Sequence, residues 1–159
     1  MQKEPDILIV EMPVCRMASS GPLSDDDEIK RFEAAWNRLA SQNADKVNPR
    51  DYMYIDEESG KSVWLYLVED WMSEDDIDGF EIIPFEGGLY ASALADNWDY
   101  SEYERVYNGI VSWTDSQEKI QLDDKVRNLL FHFAGPHSAH LIELNYGKIR
   151  YFIPIKMIK

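Results

Sequence analysis

The pattern of apolar and polar positions along the chain predicts two successive sets of secondary-structure elements in the same order. Residues 7–17 form an apolar run that Pro13 interrupts, which predicts a strand with an edge position or a bulge at the proline. A helix is predicted next, capped by Ser24 with Asp27 as the reciprocal acid, because apolar residues recur after it at helical spacing. These apolar residues are Ile29, Phe32, Trp36 and Leu39.

The helix is followed by two short runs that are rich in aromatic and β-branched residues. Residues 52–55 and 63–68 flank an acidic segment that ends at Gly60, and this pattern predicts a hairpin with glycine in its turn. The first half of the chain is therefore predicted to be strand, helix, strand, strand.

The second half repeats this order. Residues 80–94 are predicted to be extended, with a break at Gly87-Gly88, and a second helix is predicted from Asp99, with Glu102 completing a capping box. One face of this helix carries Tyr103, Val106, Tyr107, Ile110 and Trp113.

The last predicted hairpin pairs residues 140–144 with residues 149–155. If a two-residue turn begins at Tyr146, cross-strand pairing places Glu143 directly opposite Arg150. A slip of one residue in the turn would instead point these two side chains to opposite faces of the sheet.

These elements predict an α+β fold in which a duplicated βαββ unit forms a curved antiparallel sheet with two main helices. A single helix for every three strands, and a tight hairpin at the end of each unit, favour this fold over a parallel α/β sheet. We expect one domain over residues 1–159, with repeats at about 7–72 and 79–157. Pairing of the two units about a pseudo-twofold axis would leave a groove suited to a ligand.

The charge of the chain narrows the classes of partner. Sixteen basic and thirty acidic residues give a formal net charge of −14, which repels nucleic-acid backbones and anionic lipid headgroups and attracts cations. No apolar stretch approaches the ~20 residues that cross a bilayer, so we expect a cytoplasmic protein that binds neither membranes nor nucleic acid directly.

Cysteine and histidine usage predicts no bound metal or other cofactor. Cys15 is the only cysteine, so the chain cannot form an internal disulfide. His132, His137 and His140 lie close together, but their spacing matches no standard metal-binding pattern.

Three segments of the second half carry a resemblance to a known family. Gly88-Leu89-Tyr90-Ala91, Val111-Ser112-Trp113 and the final Ile153-Pro154-Ile155 resemble the GyrI-like effector-binding domains of bacteria. The resemblance covers nearly the whole chain. Two positions depart from the family pattern: Asn145 replaces a tyrosine, and Arg150 replaces an acidic residue that is often found in the last strand.

The resemblance implies a domain that binds hydrophobic, cationic aromatic molecules, used for multidrug binding, sequestration or sensing in transcription regulation. Because no basic DNA-binding segment accompanies it in this sequence, we expect a stand-alone binder. A protein partner or a homodimer is also compatible with this interpretation.

The candidate ligand-binding residues combine one acid with several aromatic rings. Glu143 lies in an apolar predicted strand and is the candidate anionic anchor, although it could also be an exposed edge charge or half of a pair with Arg150. Aromatic rings can stack on planar ligands and attract cations. The candidate rings are Tyr52, Tyr54, Trp71, Tyr90 and Tyr107.

Two other functions are compatible with the same sequence. In a hydrolase, Glu143 would act as general base and Tyr107 as the orienting acid. In an acidic inhibitor of a nucleic-acid enzyme, the surface charge, including the cluster at residues 25–28, would imitate a nucleic acid.

Overall fold

The computed structural model describes residues 3–42, 50–95, 100–134, 143–144 and 147–159. These residues form nine β-strands and two α-helices. In chain order the elements are β1 (Leu8–Met12), β2 (Cys15–Ser19), α1 (Asp26–Gln42), β3 (Asp51–Ile55), β4 (Ser62–Leu67), a 3-10 helix (Glu74–Ile77), β5 (Glu81–Phe85), β6 (Gly88–Ala95), α2 (Tyr100–Asp115), β7 (Ile120–Leu122), β8 (Leu130–Ala134) and β9 (Lys148–Met157). The chain divides into an internal unit, Val14–Glu86, and a terminal unit that combines Met1–Pro13 with Gly87–Lys159.

The internal unit is an antiparallel sheet with the strand order β3-β4-β2-β5, and it carries α1. The predicted hairpin is confirmed as β3 and β4, in which Tyr54 lies opposite Val63. Aromatic side chains join α1 to β4, with ring centroids 5.9 Å apart for Phe32 and Trp64. The predicted helical spacing therefore does place an apolar face of α1 on the sheet.

The N-terminus of α1 is capped one residue later than predicted. The helix begins at Asp26, and the carboxylate of Asp25 accepts the backbone N–H of Glu28 at 2.9 Å. The carboxylate of Glu28 in turn accepts the backbone N–H of Ser24 at 2.6 Å. The prediction of Ser24 as the cap, with Asp27 as its reciprocal acid, is therefore wrong, because Asp25 offers a carboxylate at the position nearest the free N–H groups.

The terminal unit is an antiparallel sheet with the order β1-β6-β9-β8, and β7 also pairs with β9. Its core lies between this sheet and α2, where Val106 and Ile110 have no exposed surface. Small side chains on β6 face large ones on β9, since Ala91 pairs with Ile153. This combination lets α2 lie close to the sheet while the isoleucine fills the core.

The apolar run at residues 7–17 forms two strands rather than one. β1 pairs with β6, whereas β2 pairs with β4 and β5, so the chain changes partners at Pro13. Proline has no N–H to donate to a strand ladder, and it therefore suits the point where the pairing stops.

Both units contain the predicted order of strand, helix, strand, strand. The internal unit has β2-α1-β3-β4, and the terminal unit has β6-α2-β8-β9 with β7 inserted after the helix. The α+β class, the antiparallel pairing and the two main helices are confirmed. The limits of the two repeats, 7–72 and 79–157, stay a prediction.

The last hairpin differs from its prediction. Arg150 of β9 lies opposite His132 of β8 and Leu94 of β6, not opposite Glu143. Glu143 itself has helical backbone geometry and belongs to none of the described strands. In place of the predicted strand, β9 pairs with β8, which contains His132. Residues 140–142 of the predicted strand lie outside the described residues.

Candidate functional site

The sequence-predicted residues of the internal unit are Tyr52, Tyr54 and Trp71. Tyr52 and Tyr54 are half-buried on the face of β3 opposite to Met53, which pairs with Trp64 on the helix-covered side. The pKa of Tyr54 is raised, first by burial and then by the nearby carboxyl groups of Asp56 and Glu81. This phenol therefore keeps its proton at neutral pH.

Trp71 is one of the most exposed large apolar residues of the described chain, with 70 % of its surface accessible. The backbone on either side of it is fixed by Arg16, which donates to the carbonyl oxygens of Asp70 at 2.9 Å and Met72 at 3.0 Å. The indole is thus an exposed ring on a well-held turn.

In the terminal unit, Tyr90 and Tyr107 lie on opposite faces of the sheet. Tyr90 neighbours Ala91, which packs toward α2, so the tyrosine points to the other side of β6. It is 2 % exposed, and the guanidinium carbon of Arg127 lies 4.8 Å from the ring centroid. A ligand would have to displace Arg127 to reach this ring.

Glu143 is exposed, as is the neighbouring Leu144. Its predicted pairing with Arg150 is absent from the described chain, because Arg150 belongs to a ladder with β6 and β8. The carboxylate of Glu143 is therefore accessible to a ligand from solvent, but none of the described strands fixes its position.

A group of partly exposed rings in the terminal unit surrounds Tyr107. We call this group the α2 aromatic cluster, and its members are Tyr103, Tyr107, Phe131, Phe133 and Tyr151. Tyr151 is 8 % exposed and the other four rings are half-buried. The cluster therefore has a buried base and accessible edges.

Ring geometry within the cluster is that of stable aromatic packing. Tyr103 and Tyr107 stack with centroids 5.9 Å apart and planes 29° apart, as expected for neighbours one helical turn apart on α2. Tyr103 also meets Tyr151 edge-on at 5.1 Å. Phe131 and Phe133 project from the same face of β8 and meet at 5.4 Å with planes 86° apart.

An acidic residue lies directly beside the cluster. The hydroxyl of Tyr107 donates to the carboxylate of Asp124 at 3.1 Å, and both side chains are half-buried. Burial raises the pKa of Tyr107, and the hydrogen bond to Asp124 raises it further. The phenol therefore stays protonated at neutral pH, and its proton is directed toward Asp124.

The neighbouring Asp123 has a different role from Asp124. Its carboxylate accepts from Arg127 at 2.8 Å and lies 3.2 Å from the ammonium of Lys156. The hydrogen bond from Arg127 lowers the pKa of Asp123, and Lys156 lowers it further despite partial burial. Asp123 therefore joins Arg127 to Lys156 and has a structural role. Asp124, by contrast, makes its polar contact with Tyr107 among the residues that the structure describes.

Of the α2 aromatic cluster, the site prediction included only Tyr107. Phe131 and Phe133 could have been predicted from the sequence, because their alternation with His132 indicates a strand that places both rings on one face. Asp124 carries none, since its proximity to Tyr107 depends on how the chain returns from α2 through β7.

The residues that the structure describes contain neither a membrane-spanning helix nor a metal-binding cluster. None of the helices that the structure describes is long and apolar enough to cross a membrane. Within the same residues, no group of three or more histidine, cysteine or acidic side chains is arranged to hold a metal ion.

Comparison with known proteins identifies relatives by fold and not by sequence. No protein-family model matches the chain, and no curated protein matches it. Among solved structures, a hydrolase from Listeria innocua matches with a TM-score of 0.67 and 9 % identity, over 98 % of this chain and 94 % of the other.

Two further structures are similar over almost the full length. The EcmrR C-terminal domain matches with a TM-score of 0.59 and 12 % identity, over 98 % of this chain and 100 % of that domain. SAV2435, whose structure was solved bound to tetraphenylphosphonium, matches with a TM-score of 0.51 and 12 % identity, over 95 % of this chain and 94 % of the other. These similarities show the fold of the chain, which is consistent with the GyrI-like fold.

Proposed function

We propose that this protein binds hydrophobic, cationic aromatic small molecules, and that the α2 aromatic cluster together with Asp124 forms a ligand-binding surface. The observation that carries the proposal is the hydrogen bond between Tyr107 and Asp124, which holds a half-buried carboxylate beside four half-buried rings. Sequestration of such molecules, or sensing of them in transcription regulation, would be its biological use.

The proposed surface combines the two interactions that a lipophilic cation needs. Each ring face attracts a cation through its quadrupole, by about 0.5–2 kcal/mol depending on how well water is excluded. Asp124 adds a carboxylate at the edge of the rings, and the net charge of −14 raises the local concentration of cations. An anion of the same shape would gain the apolar contacts and lose the electrostatic ones.

The comparison with SAV2435 supports tetraphenylphosphonium as the test ligand for this surface. That protein, whose structure holds tetraphenylphosphonium, shares its fold with this chain. Tetraphenylphosphonium is a delocalised cation surrounded by four aromatic rings, so it matches the chemistry of the proposed surface.

The other candidate residues stay proposals as separate ligand contacts, each within its own unit and not as part of the α2 aromatic cluster. Tyr52, Tyr54 and Trp71 are accessible rings, and Glu143 is an accessible acid. Tyr90 would contribute only after Arg127 moves away from its ring. Substitution of each residue in the titration below tests its contribution separately.

Titration with tetraphenylphosphonium by calorimetry, alongside isosteric tetraphenylborate, tests the proposal. We expect the cation to bind and the anion to bind at least about tenfold more weakly, because Asp124 favours one and repels the other. Asp124→Asn should weaken binding of the cation by about three- to tenfold, whereas Asp115→Asn at the exposed end of α2 should not. Equal binding of the two probes would overturn the proposal.

Substitution of the aromatic rings provides an independent test of the proposed binding surface. Phe131→Leu removes a cluster ring, and we expect a loss of about three- to tenfold in affinity for tetraphenylphosphonium. Phe85→Leu is the matched control, because Phe85 is a half-buried ring of β5 in the internal unit. Equal losses in both variants would locate the binding surface elsewhere.

Two substitutions at Tyr107 distinguish the contribution of its ring to ligand binding from that of its hydroxyl. Tyr107→Phe keeps the ring and releases Asp124 from its hydrogen bond, so affinity for tetraphenylphosphonium should stay within about threefold of wild type. Tyr107→Leu removes the ring as well and should weaken binding beyond that range. A larger loss in the phenylalanine variant than in the leucine variant would show that the hydroxyl, and not the ring, contacts the ligand.

A further inference from the structure

A cavity of about 450 Å³ lies in the terminal unit, between residues 3–6, the end of β6 and the start of α2. Part of its lining is apolar and open to solvent, since Leu8 is 57 % exposed and Leu94 is 38 % exposed. Pro5 and Ala93 extend this apolar wall. The volume lies within the usual range for sites that bind small molecules.

The N-terminal wall of the cavity is anchored to α2. Arg105 donates to the carbonyl oxygen of Lys3 at 2.9 Å. The absence of a side chain at Gly109 leaves room for Pro5, because a Cβ there would lie 2.6 Å from the proline ring. The wall is therefore fixed to the helix at two points.

Most charged groups around the cavity already have a partner. Glu102 and Arg105 form an ion pair at 2.6 Å, with side chains 20 % and 14 % exposed. Lys3 and Asp6 are 3.9 Å apart, and because their side chains are 87 % and 93 % exposed, this contact is weak and screened.

Among the cations of the cavity, Arg150 differs from Lys3 and Arg105. It lines the cavity from β9, directly opposite Leu94, and its guanidinium has no hydrogen bond or ion pair with the part of the chain that the structure describes. Ser92 lines the same cavity two residues before Leu94, has no exposed surface, and has a hydroxyl without a hydrogen-bond partner among the described residues. A half-buried cation and a buried hydroxyl thus share one face of the sheet at this cavity.

We propose that this cavity binds a small organic monocarboxylate with an apolar body, and that Arg150 binds its carboxylate. A guanidinium presents two parallel N–H groups to a carboxylate, which gives a charge-assisted contact with defined geometry. The apolar body of the ligand would lie against Leu8 and Leu94 and remove both from water.

The charges also select a monoanion. One unpaired guanidinium compensates one negative charge, and Glu4 and Asp6 at the same cavity repel a second one. Inorganic phosphate, which carries more charge and no apolar part, is therefore expected to bind more weakly than a carboxylate with a hydrophobic group.

This site is independent of the proposed function. It takes an anion through Arg150, whereas the α2 aromatic cluster takes a cation beside Asp124. Benzoate binding should therefore persist in Asp124→Asn and in Phe131→Leu, so failure of either proposal leaves the other one testable.

Benzoate is the probe, and benzyl alcohol is its neutral analogue. In calorimetric or NMR titrations up to about 10 mM, we expect benzoate to bind and benzyl alcohol to bind at least about tenfold more weakly. Arg150→Gln should reduce benzoate affinity by at least about tenfold. Lys119→Gln removes one positive charge from an exposed position outside the cavity and should leave the affinity unchanged.

Two further variants keep the test decisive if Arg150→Gln unfolds. Arg150→Lys keeps the charge but loses the paired donors, so benzoate affinity should fall by a smaller factor than in the glutamine variant. Leu8→Gln replaces an exposed apolar wall residue and should weaken benzoate more than acetate. The proposal is overturned if benzoate does not bind the wild-type protein, if benzyl alcohol binds equally well, or if the Arg150 variants bind benzoate as wild type does.

Discussion

The guanidinium of Arg127 covers the ring of Tyr90, with 4.8 Å between the guanidinium carbon and the ring centroid. The same side chain donates to the carboxylate of Asp123 at 2.8 Å and to three backbone carbonyl oxygens. These oxygens belong to Gly87, Leu89 and Ile155, at 3.0, 3.0 and 2.6 Å. A single arginine therefore joins the start of β6, the end of β9 and the segment that follows β7.

Replacement of Arg127 should be among the most destabilising surface-facing substitutions in the chain. Arg127→Ala leaves three carbonyl oxygens without this donor and removes one partner of a pair whose side chains are 15 % and 12 % exposed. We expect a loss of about 2–4 kcal/mol in the free energy of unfolding, measured by urea denaturation.

Arg38→Ala is the matched control for this substitution. Arg38 and Asp78 pair at 2.8 Å, but their side chains are 43 % and 44 % exposed, so the loss should stay below about 1 kcal/mol. Equal losses in the two variants would show that burial does not strengthen the Arg127 contacts.

Asp123 gives the stability of the protein a defined pH dependence. Its hydrogen bond from Arg127 holds the pKa of the folded state below the ordinary value, which is about 3.9. The stabilisation is therefore fully present above about pH 5 and is lost as the pH falls through the folded-state pKa. Asp123→Asn should be less stable than wild type at pH 7, and the difference should shrink between about pH 5 and pH 2.

The pH series needs a control without such contacts. Glu118→Gln alters an exposed acid, and its stability difference from wild type should stay small across the same urea denaturation series. A difference between Asp123→Asn and wild type that does not change with pH would contradict the prediction, because it would mean that protonation does not break the contact with Arg127.

Much of the local structure could be predicted because its causes lie close together in the sequence. Residues 51–67 combine two β-forming runs with a turn in which Asp56 accepts from the backbone and side chain of Ser59. The helices likewise follow from apolar spacing, and Val106 and Ile110 do lie in the core.

Contacts between distant segments could not be predicted in this way. The pairing of Leu8 with Ser92 joins strands that are far apart in the chain, and no local pattern selects that partner. For the same reason the sequence did not show that Asp124 would meet Tyr107. Arg150 was predicted as a departure from a family pattern and as the cross-strand partner of Glu143, whereas its place at a cavity depends on its pairing with both β6 and β8.

Gly87 is required by a close approach of two backbone segments. Its φ is 70°, and a Cβ at this position would overlap the carbonyl of Met12 and lie 2.7 Å from the carbonyl carbon of Pro13. Gly87→Ala should therefore destabilise the protein by about 2 kcal/mol or more in urea denaturation.

Substitution of Gly60 distinguishes the destabilisation caused by the positive φ from that caused by the close backbone approach. It has the same φ of 70°, but nothing lies within 4 Å of a Cβ built on it. Gly60→Ala should cost only the backbone strain, about 1 kcal/mol. If the two alanine variants were equally stable, the contact with Met12 and Pro13 would be irrelevant.

Two buried serines make opposite contributions to stability because only one has a hydrogen-bond partner. Ser19 on β2 is 6 % exposed, and its hydroxyl oxygen accepts the backbone N–H of Gly21 at 3.1 Å. Ser92 on β6 has no exposed surface and no hydrogen-bond partner among the described residues. A hydroxyl that has left water without a new partner destabilises the folded state, whereas a satisfied one contributes about 1 kcal/mol.

Substitution of each serine by alanine should therefore shift stability in different directions. Ser19→Ala should lower the free energy of unfolding by about 1 kcal/mol, and Ser92→Ala should leave it unchanged or raise it by a similar amount when no ligand is present. Urea denaturation of both variants in buffer without carboxylates measures the two effects. A loss of about 1 kcal/mol or more in Ser92→Ala would show that its hydroxyl is satisfied in solution and would contradict the prediction.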